Sequence, residues 1–191
     1  MLPFSIDATP RTFGLEECTR LIDVFDRSPD VHDGRLAGGN QRVRLRDCRV
    51  LWIEDGPLND WAFRRLATVV SMANREHFKF DLDDFREGCQ IIRYGAPESG
   101  AVHGGHYGWH IDIGGSGAST SRKLSVSVQL SCSTSYSGGA MMLNADGDPF
   151  EVARQRGTAI LFPSFTPHKI CPVQSGARYA LVAWVHGPAF R

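Results

Sequence analysis

The sequence predicts an α+β domain, mainly β, in which N-terminal helices support a sandwich or jelly roll of short strands. Helical periodicity is confined to the first part of the chain, and from Gly88 onward short β-rich runs alternate with Gly, Pro, Ser and Asn. Seven or eight strands at this spacing are typical of a sandwich or jelly roll. Because helices come first and strands follow, we expect the helices to cover one face of the sheets.

Two helices are predicted in the first part of the chain. The first runs from Leu15 to Phe25, with acidic residues early in the run, near the positive end of a helix dipole. Its apolar residues recur at helical spacing: Leu15, Cys18, Leu21, Ile22 and Phe25. The second runs from about Leu58 to Phe78 and places these residues on a common side: Trp61, Leu66, Val69, Val70 and Ala73. Between the helices, the stretch from Arg42 to Glu54 alternates and predicts one or two strands.

The second half contains the runs that we predict as strands of the roll. They are Cys89–Tyr94, Tyr107–Ile113, Lys123–Ser131, Ala140–Leu143, Phe150–Ala153, Thr158–Phe162, His168–Pro172 and Arg178–Val185. No internal repeat or low-complexity tract divides the chain. We therefore expect a single domain over residues 1–191, with helical support and the first strands in 1–87 and the core jelly roll in 88–191.

Composition argues against several classes of partner. The 21 Lys and Arg balance the 21 Asp and Glu, so no overall basic field favours nucleic acid or an anionic membrane. No apolar run approaches the ~20 residues that span a bilayer, and the start of the chain lacks the basic and apolar regions of a signal peptide. The five cysteines are scattered without Cys-x-x-Cys spacing, which predicts reduced thiols. We therefore expect a cytoplasmic protein with no membrane partner.

The motif Tyr107-Gly-Trp-His110-Ile-Asp112 carries the main functional prediction. On a strand, residues i and i+2 point to the same face, so His110 and Asp112 can offer ligand atoms to one point. His168, which follows a Pro-containing turn, is the natural third ligand from a remote strand. Two His and one carboxylate form the facial triad of non-haem Fe(II) oxygenases, which leaves three metal positions open. The sequence therefore predicts an iron site.

Arg178 and the strand from Leu124 to Ser131 are the next candidates. Arg178 lies ten positions after His168 and can form a two-point salt bridge with the distal carboxylate of a 2-oxo acid chelated to iron. The strand alternates, and its polar face carries Ser127 and Gln129. That face either lines the roll, where these side chains contact cofactor or substrate, or faces solvent, and the alternation does not distinguish the two.

Three further sets of residues have a functional and a plain structural interpretation. Trp109 points away from His110, which favours core packing or an entrance wall over a ligand. Arg42, Arg44 and Arg46 alternate along a predicted strand, and an ordinary solvated edge is favoured over a cationic face at the pocket mouth. Arg122, close in sequence to the metal strand, is a candidate to meet an acidic group of the substrate.

From about Arg93 to Phe190 the chain resembles the prolyl 4-hydroxylase-like branch of the Fe(II)/2-oxoglutarate-dependent dioxygenases. The matching pieces are Arg93-Tyr94, Tyr107–Asp112, Arg122–Ser131, Gly138-Gly139, Gly157–Phe162, Pro163-Ser164 with His168, and Gly176-Ala-Arg178. The resemblance implies a double-stranded β-helix with Fe(II) and 2-oxoglutarate inside, and hydroxylation of an unactivated C–H bond with release of succinate and CO2. It implies His110, Asp112 and His168 as iron ligands and Arg178 as the partner of the distal carboxylate. Tyr94 and Tyr107 are candidates to hydrogen-bond 2-oxoglutarate, and ascorbate is a candidate stimulant.

Substrate identity and oligomeric state stay open. A small molecule or free amino acid, a peptidyl residue and a nucleobase compete as substrates beside dioxygen. The nucleobase ranks last, because Trp184 stands where the nucleic-acid branch carries a second Arg and because net charge is zero. The alternative function is a non-catalytic cupin-type jelly roll that binds a ligand, although cupin sites usually have three His and a Glu. A metal-dependent hydrolase needs a general base near the metal, and the sequence offers no such carboxylate beside the motif.

Overall fold

The computed structural model describes residues 11–34, 45–99 and 103–190, and the backbone alone of 7–9. Two helices precede most of the strands: α1 (Leu15–Arg27) and α2 (Asp60–Ala73). The strands are β1 (Asp7–Thr9), β2 (His32–Asp33), β3 (Arg46–Asp47), β4 (Arg49–Ile53), β5 (Cys89–Gly95), β6 (His106–His110), β7 (Arg122–Gln129), β8 (Tyr136–Gly138), β9 (Met141–Leu143), β10 (Phe150–Glu151), β11 (Ala159–Pro163), β12 (His168–Ile170) and β13 (Val173–His186).

The strands form two antiparallel sheets. The major sheet has the order β1-β11-β7-β13-β5-β4-β2, with β8 paired to one end of β13. The minor sheet has the order β10-β9-β12-β6-β3. An apolar cluster that includes Ile92, Phe162 and Ile170 joins the two sheets. This two-sheet arrangement, mainly β with helices before it, confirms the predicted jelly roll.

The helices cover the outer face of the major sheet, as the sequence predicts. Helix α1 begins after Gly14, whose N–H donates to Glu17 Oε2 at 2.7 Å. It buries Cys18, Leu21 and Phe25. Helix α2 buries Ala62, Phe63, Leu66, Val69, Val70 and Ala73 and continues as a π-helical turn over Asn74–Phe78. All these helix residues pack in one cluster with apolar residues of the major sheet. Among the described residues, no helix is long and apolar enough to cross a membrane.

In strand β7, polar and apolar side chains alternate, and the two faces of the strand lie in different surroundings. Leu124, Val126 and Val128 are fully buried in the cluster beneath the helices. Ser125, Ser127 and Gln129 point the other way and are also buried, because the minor sheet covers that face. The solvent-facing alternative for this polar face is therefore wrong, and the interior of the roll is partly polar.

Several element boundaries differ from the prediction. Strand β6 ends at His110, not at Ile113, and β13 begins at Val173, five residues before Arg178. The short strands β1, β2 and β8 were not predicted, since each contains Asp or Gly, which are uncommon in strands. The predicted strand over Arg42–Glu54 is present as β3 and β4, while its residues Arg42–Arg44 lie outside the described residues.

Candidate metal centre

The two histidines of the predicted triad lie side by side in the minor sheet. His110 is the last residue of β6 and His168 the first of β12, and the two residues are direct partners in the strand register. Asp112 lies just beyond the end of β6, where the N–H groups of Asp112 and Ile113 both donate to the carbonyl of Ser164, at 2.9 and 3.0 Å. A turn bonded to the loop before β12, and not strand alternation, therefore places the carboxylate.

The three side chains converge on one point. Their candidate ligand atoms all lie within 4.8 Å of one another. The Nε2 of His110 is 3.8 Å from Asp112 Oδ1, and the Nε2 of His168 is 3.5 Å from Asp112 Oδ2. These separations fit three ligands on one face of an octahedral ion. No other group of three or more His, Cys, Asp or Glu within the described ranges meets this test.

Hydrogen bonds orient both imidazole rings toward that point. The Nδ1 of His110 is 2.8 Å from the carbonyl of Gly108, and the Nδ1 of His168 is 3.0 Å from the carbonyl of Thr166. A carbonyl only accepts, so each Nδ1 carries the proton and each Nε2 presents a lone pair to a metal. Burial, together with the neighbouring His168, lowers the pKa of His110 to about 4. His110 is therefore neutral at pH 7, the form that binds metal.

Asp112 is held as a carboxylate by its neighbours. Burial alone would raise its pKa, but His168, His110, the Ser125 hydroxyl and the Trp184 indole N–H outweigh burial and lower it. Ser125 Oγ donates to Asp112 Oδ2 at 2.6 Å and is 3.0 Å from Ser164 Oγ. The sequence prediction missed Ser125, although its place on the polar face of β7, two residues before Ser127, was a signal.

The triad lies in the wall of a cavity of about 380 Å³ between the two sheets. Arg178 enters this cavity from β13 of the major sheet and is 3% exposed. Burial lowers the pKa of the Arg178 guanidinium, and the phenol groups of Tyr94 and Tyr136 oppose that effect. No carboxylate among the described residues lies within ion-pair distance of it. A buried guanidinium without an anion is costly, so the site is built to receive one.

Of the other predicted cofactor-binding residues, three line this cavity and one does not. Tyr94 and Ser127 line the cavity with Arg178, and the Arg178 Cζ is 5.7 Å from the ring centroid of Tyr94. Tyr107 also lines it, stacked on the ring of His110 with centroids 3.5 Å apart. Gln129 lies outside it, in a smaller adjoining cavity, where its amide donates to Tyr136 Oη at 3.0 Å. Tyr136, which sequence analysis did not select, thus connects Gln129 to Arg178.

Three sequence interpretations need correction. Arg122 does not present a free guanidinium to a substrate, because it donates to both carboxylate oxygens of Glu87 at 2.6 and 2.9 Å and to the carbonyl of Asp112. Trp109 is not in the core: it is 40% exposed, with Lys169 Nζ 4.9 Å from its ring centroid. Arg46 lines the cavity, so the solvated-edge interpretation is wrong for this residue. Arg42 and Arg44 lie outside the described residues.

Fold and site together define a jelly-roll protein with a two-histidine, one-carboxylate centre. A sequence profile of the 2OG-Fe(II) oxygenase superfamily matches residues 89–186. A PKHD-type hydroxylase of Pseudomonas putida is 34% identical over 187 residues, which cover 92% of this chain and 75% of the relative. The chain therefore belongs to the 2OG-Fe(II) oxygenase superfamily, in its prolyl 4-hydroxylase-like branch. This membership favours the oxygenase over the cupin-type alternative.

Other relatives match over shorter stretches. A PKHD-type hydroxylase of Synechococcus sp. (strain CC9605) is 41% identical over 83 residues, 43% of this chain and 37% of the relative. One of Synechococcus elongatus is 38% identical over 125 residues, 64% of this chain and 54% of the relative. The chain thus spans about half the length, or less, of these relatives.

Solved structures show the same fold. A prolyl-4-hydroxylase of Pseudomonas putida superposes with a TM-score of 0.74 at 19% identity, covering 98% of this chain and 95% of that one. A prolyl hydroxylase from Trichoplax adhaerens, solved with a hypoxia inducible factor peptide fragment, superposes with a TM-score of 0.76 at 18% identity, covering 97% and 84%.

Proposed function

We propose that this protein is an Fe(II)- and 2-oxoglutarate-dependent oxygenase that hydroxylates a C–H bond of a small molecule, an amino acid or a peptidyl residue. The observation that carries the proposal is the placement of a two-histidine, one-carboxylate site and a buried, unpaired arginine in one cavity. The superfamily to which the chain belongs supports the same cofactors. We propose ascorbate as a stimulant, as it would keep the iron reduced.

Each residue of the site has a distinct proposed role. His110, Asp112 and His168 would hold Fe(II), and three protein ligands would leave coordination positions for 2-oxoglutarate and dioxygen. When bound, Fe(II) and 2-oxoglutarate would activate dioxygen: one oxygen atom would enter succinate as CO2 leaves the oxo acid, and the other would enter the C–H bond of the substrate as a hydroxyl group. Arg178, which is buried in the wall of the cavity, would bind the distal carboxylate of 2-oxoglutarate by a two-point salt bridge.

The surrounding residues tune this arrangement. The Ser125 hydroxyl holds Asp112 in the orientation that faces both imidazoles. Tyr107 covers one face of the His110 ring, and Tyr94 and Ser127 line the path between the metal and Arg178. We propose that Tyr94, Tyr107 and Ser127 contact 2-oxoglutarate directly, and that Gln129 acts through Tyr136 instead. The apolar walls exclude water from the reacting groups.

We also propose that the two parts of the chain, 1–87 and 88–191, act as one domain. The support for this is the shared cluster in which α1 and α2 pack against the major sheet. A cytoplasmic location is proposed because all five cysteines are free thiols, which fits a reducing compartment. The similarity to prolyl hydroxylases, one of them bound to a peptide, supports a peptidyl residue as one candidate substrate.

Anaerobic titration of 2-oxoglutarate into the Fe(II) protein tests the proposal. We expect a weak visible charge-transfer band as the oxo acid chelates the metal. His168→Ala should abolish the band, because it removes a ligand, and Arg178→Ala should raise the concentration needed by roughly 100-fold, the scale of losing one partner of a buried charge pair. Lys169→Ala is the matched control, since Lys169 follows His168 on β12 but lies over Trp109. A folded, iron-loaded protein that shows no band would refute the proposal.

A further inference from the structure

A second arginine lies at the cavity, on the sheet opposite to Arg178. Arg46 belongs to β3, the edge strand of the minor sheet, and stands directly across from Tyr107 in the strand register. Its Cζ is 4.8 Å from the ring centroid of Tyr107, which in turn stacks on His110. The guanidinium is half-buried and lines the cavity. Arg46 is therefore two contacts away from a proposed iron ligand.

Arg46 has no negative partner within the described part of the protein. Its Nε donates to the Sγ of Cys48 at 3.1 Å. Burial raises the pKa of the Cys48 thiol, so this group is neutral at pH 7. No carboxylate of the described residues lies within ion-pair distance of Arg46.

The charges that line the cavity leave Arg46 unbalanced. The charged lining residues are Arg46, Asp112, Arg122 and Arg178. Glu87 neutralises Arg122. Under the proposed function, on which this step rests, a divalent iron and the dianion of 2-oxoglutarate balance the remaining Asp112 and Arg178. One positive charge, that of Arg46, is left facing the cavity, and leaving a half-buried guanidinium without an anion is unfavourable.

We propose that Arg46 binds a carboxylate of the substrate, so that the protein acts on amino acids or on peptides that carry a carboxylate near the oxidised carbon. A guanidinium matches the two oxygens of a carboxylate in a planar, two-point contact. A single negative charge balances the single charge that remains, whereas a phosphate dianion would leave an excess. The apolar lining residues Ile92, Ile111 and Val182 give the carbon skeleton a place beside this anchor.

Calorimetric titration of the protein loaded with Mn(II) and saturated with 2-oxoglutarate tests the inference without turnover. Loading occupies the metal and Arg178, so that the probes report on the remaining space. The probes are cyclopentanecarboxylate and benzoate, each paired with its primary amide. Each acid should bind about tenfold or more tightly than its amide, the value of one charge-assisted contact.

Variants at two arginines assign the effect. Arg46→Gln should remove the preference for the acids and leave the affinity for 2-oxoglutarate unchanged, and Arg46→Lys should keep part of the preference. Arg49→Gln is the matched control, because Arg49 lies three residues further on, is exposed and pairs with Asp33 outside the cavity. This control should behave as the wild type.

Three results would overturn the inference while the proposed function stands. The first is equal affinity of the wild type for acids and amides. The second is no binding of either acid below about 10 mM. The third is an Arg46→Gln variant that loses affinity for 2-oxoglutarate. The last would place Arg46 at the co-substrate. Failure of the Mn(II)-loaded wild type to bind 2-oxoglutarate at all would instead refute the proposed function, and the inference with it.

Discussion

Substitution of Ser125 by alanine should weaken metal binding without touching a metal ligand. Ser125 is 1% exposed and donates a 2.6 Å hydrogen bond to Asp112 Oδ2. Removal of the Ser125 hydroxyl leaves the Asp112 carboxylate and the Ser164 hydroxyl each without this hydrogen-bond partner. A hydrogen bond to a charged group contributes about 1.5–3 kcal/mol, which is roughly 10- to 100-fold in an equilibrium constant. Loss of a group that orients a metal ligand typically has a similar effect.

The assay is anaerobic competition for Fe(II) between the protein and a chelator of known affinity. Ser125→Ala should show a dissociation constant for Fe(II) about 10- to 100-fold above that of the wild type. Ser127→Ala is the matched control, because Ser127 lies two residues further along the same buried face of β7 and has no hydrogen bond to Asp112. Unchanged Fe(II) affinity in Ser125→Ala, or an equal loss in Ser127→Ala, would refute the assigned role of the hydroxyl.

Three further predictions concern stability and the cavity entrance. Leu66→Ala should lower the free energy of unfolding, measured by urea titration, by about 2–5 kcal/mol, because Leu66 is fully buried. Leu58→Ala, at a position 78% exposed, should change it by less than about 0.5 kcal/mol. Similar losses in the two variants would contradict the helix packing. In the metal-free protein, burial and His168 lower the pKa of His110 from 6.5 to about 4, so the folded state binds fewer protons than the unfolded chain between these pH values. The free energy of unfolding should therefore fall by about 3 kcal/mol as the pH drops through this window. His110→Gln should make the free energy of unfolding depend less on pH. An equally steep pH dependence in that variant would show that another group causes it. Trp109→Ala should leave Fe(II) and 2-oxoglutarate affinities unchanged, since the ring lies outside the cavity, and a loss of either affinity would place it in the site.

Local patterns predicted the elements well wherever a period extends over several turns or residues. Helix α1 begins at Leu15 as expected, and the apolar side chosen for α2 is the side that packs on the sheet. The short strands β1, β2 and β8 escaped prediction, because each contains Asp or Gly, which are uncommon in strands, and pairs with a partner remote in sequence.

The polar face of β7 illustrates a second limit. Alternation separates Ser127 from Val128 but does not say what covers each side, since a strand with one polar face is equally compatible with solvent and with a polar cavity. The minor sheet decides this by covering the serines. Arg46 was assigned to a solvated edge for the same reason: the pairing of β3 with β6, which carries it to the cavity, is a contact across about 60 positions of sequence.

The chemistry of the site is what the sequence predicts most directly. The residue types and spacing of His110, Asp112, His168 and Arg178 were sufficient to predict an iron site with an arginine for a 2-oxo acid, because few other arrangements use that set of ligands. What surrounds and orients these residues is visible only in the folded chain: the hydrogen bond from Ser125 to Asp112, the pairing of Arg122 with Glu87, and the position of Arg46 at the cavity. The physical reason is that ligand identity is a property of side chains, whereas hydrogen-bond partners and charge balance depend on which strands the fold brings together.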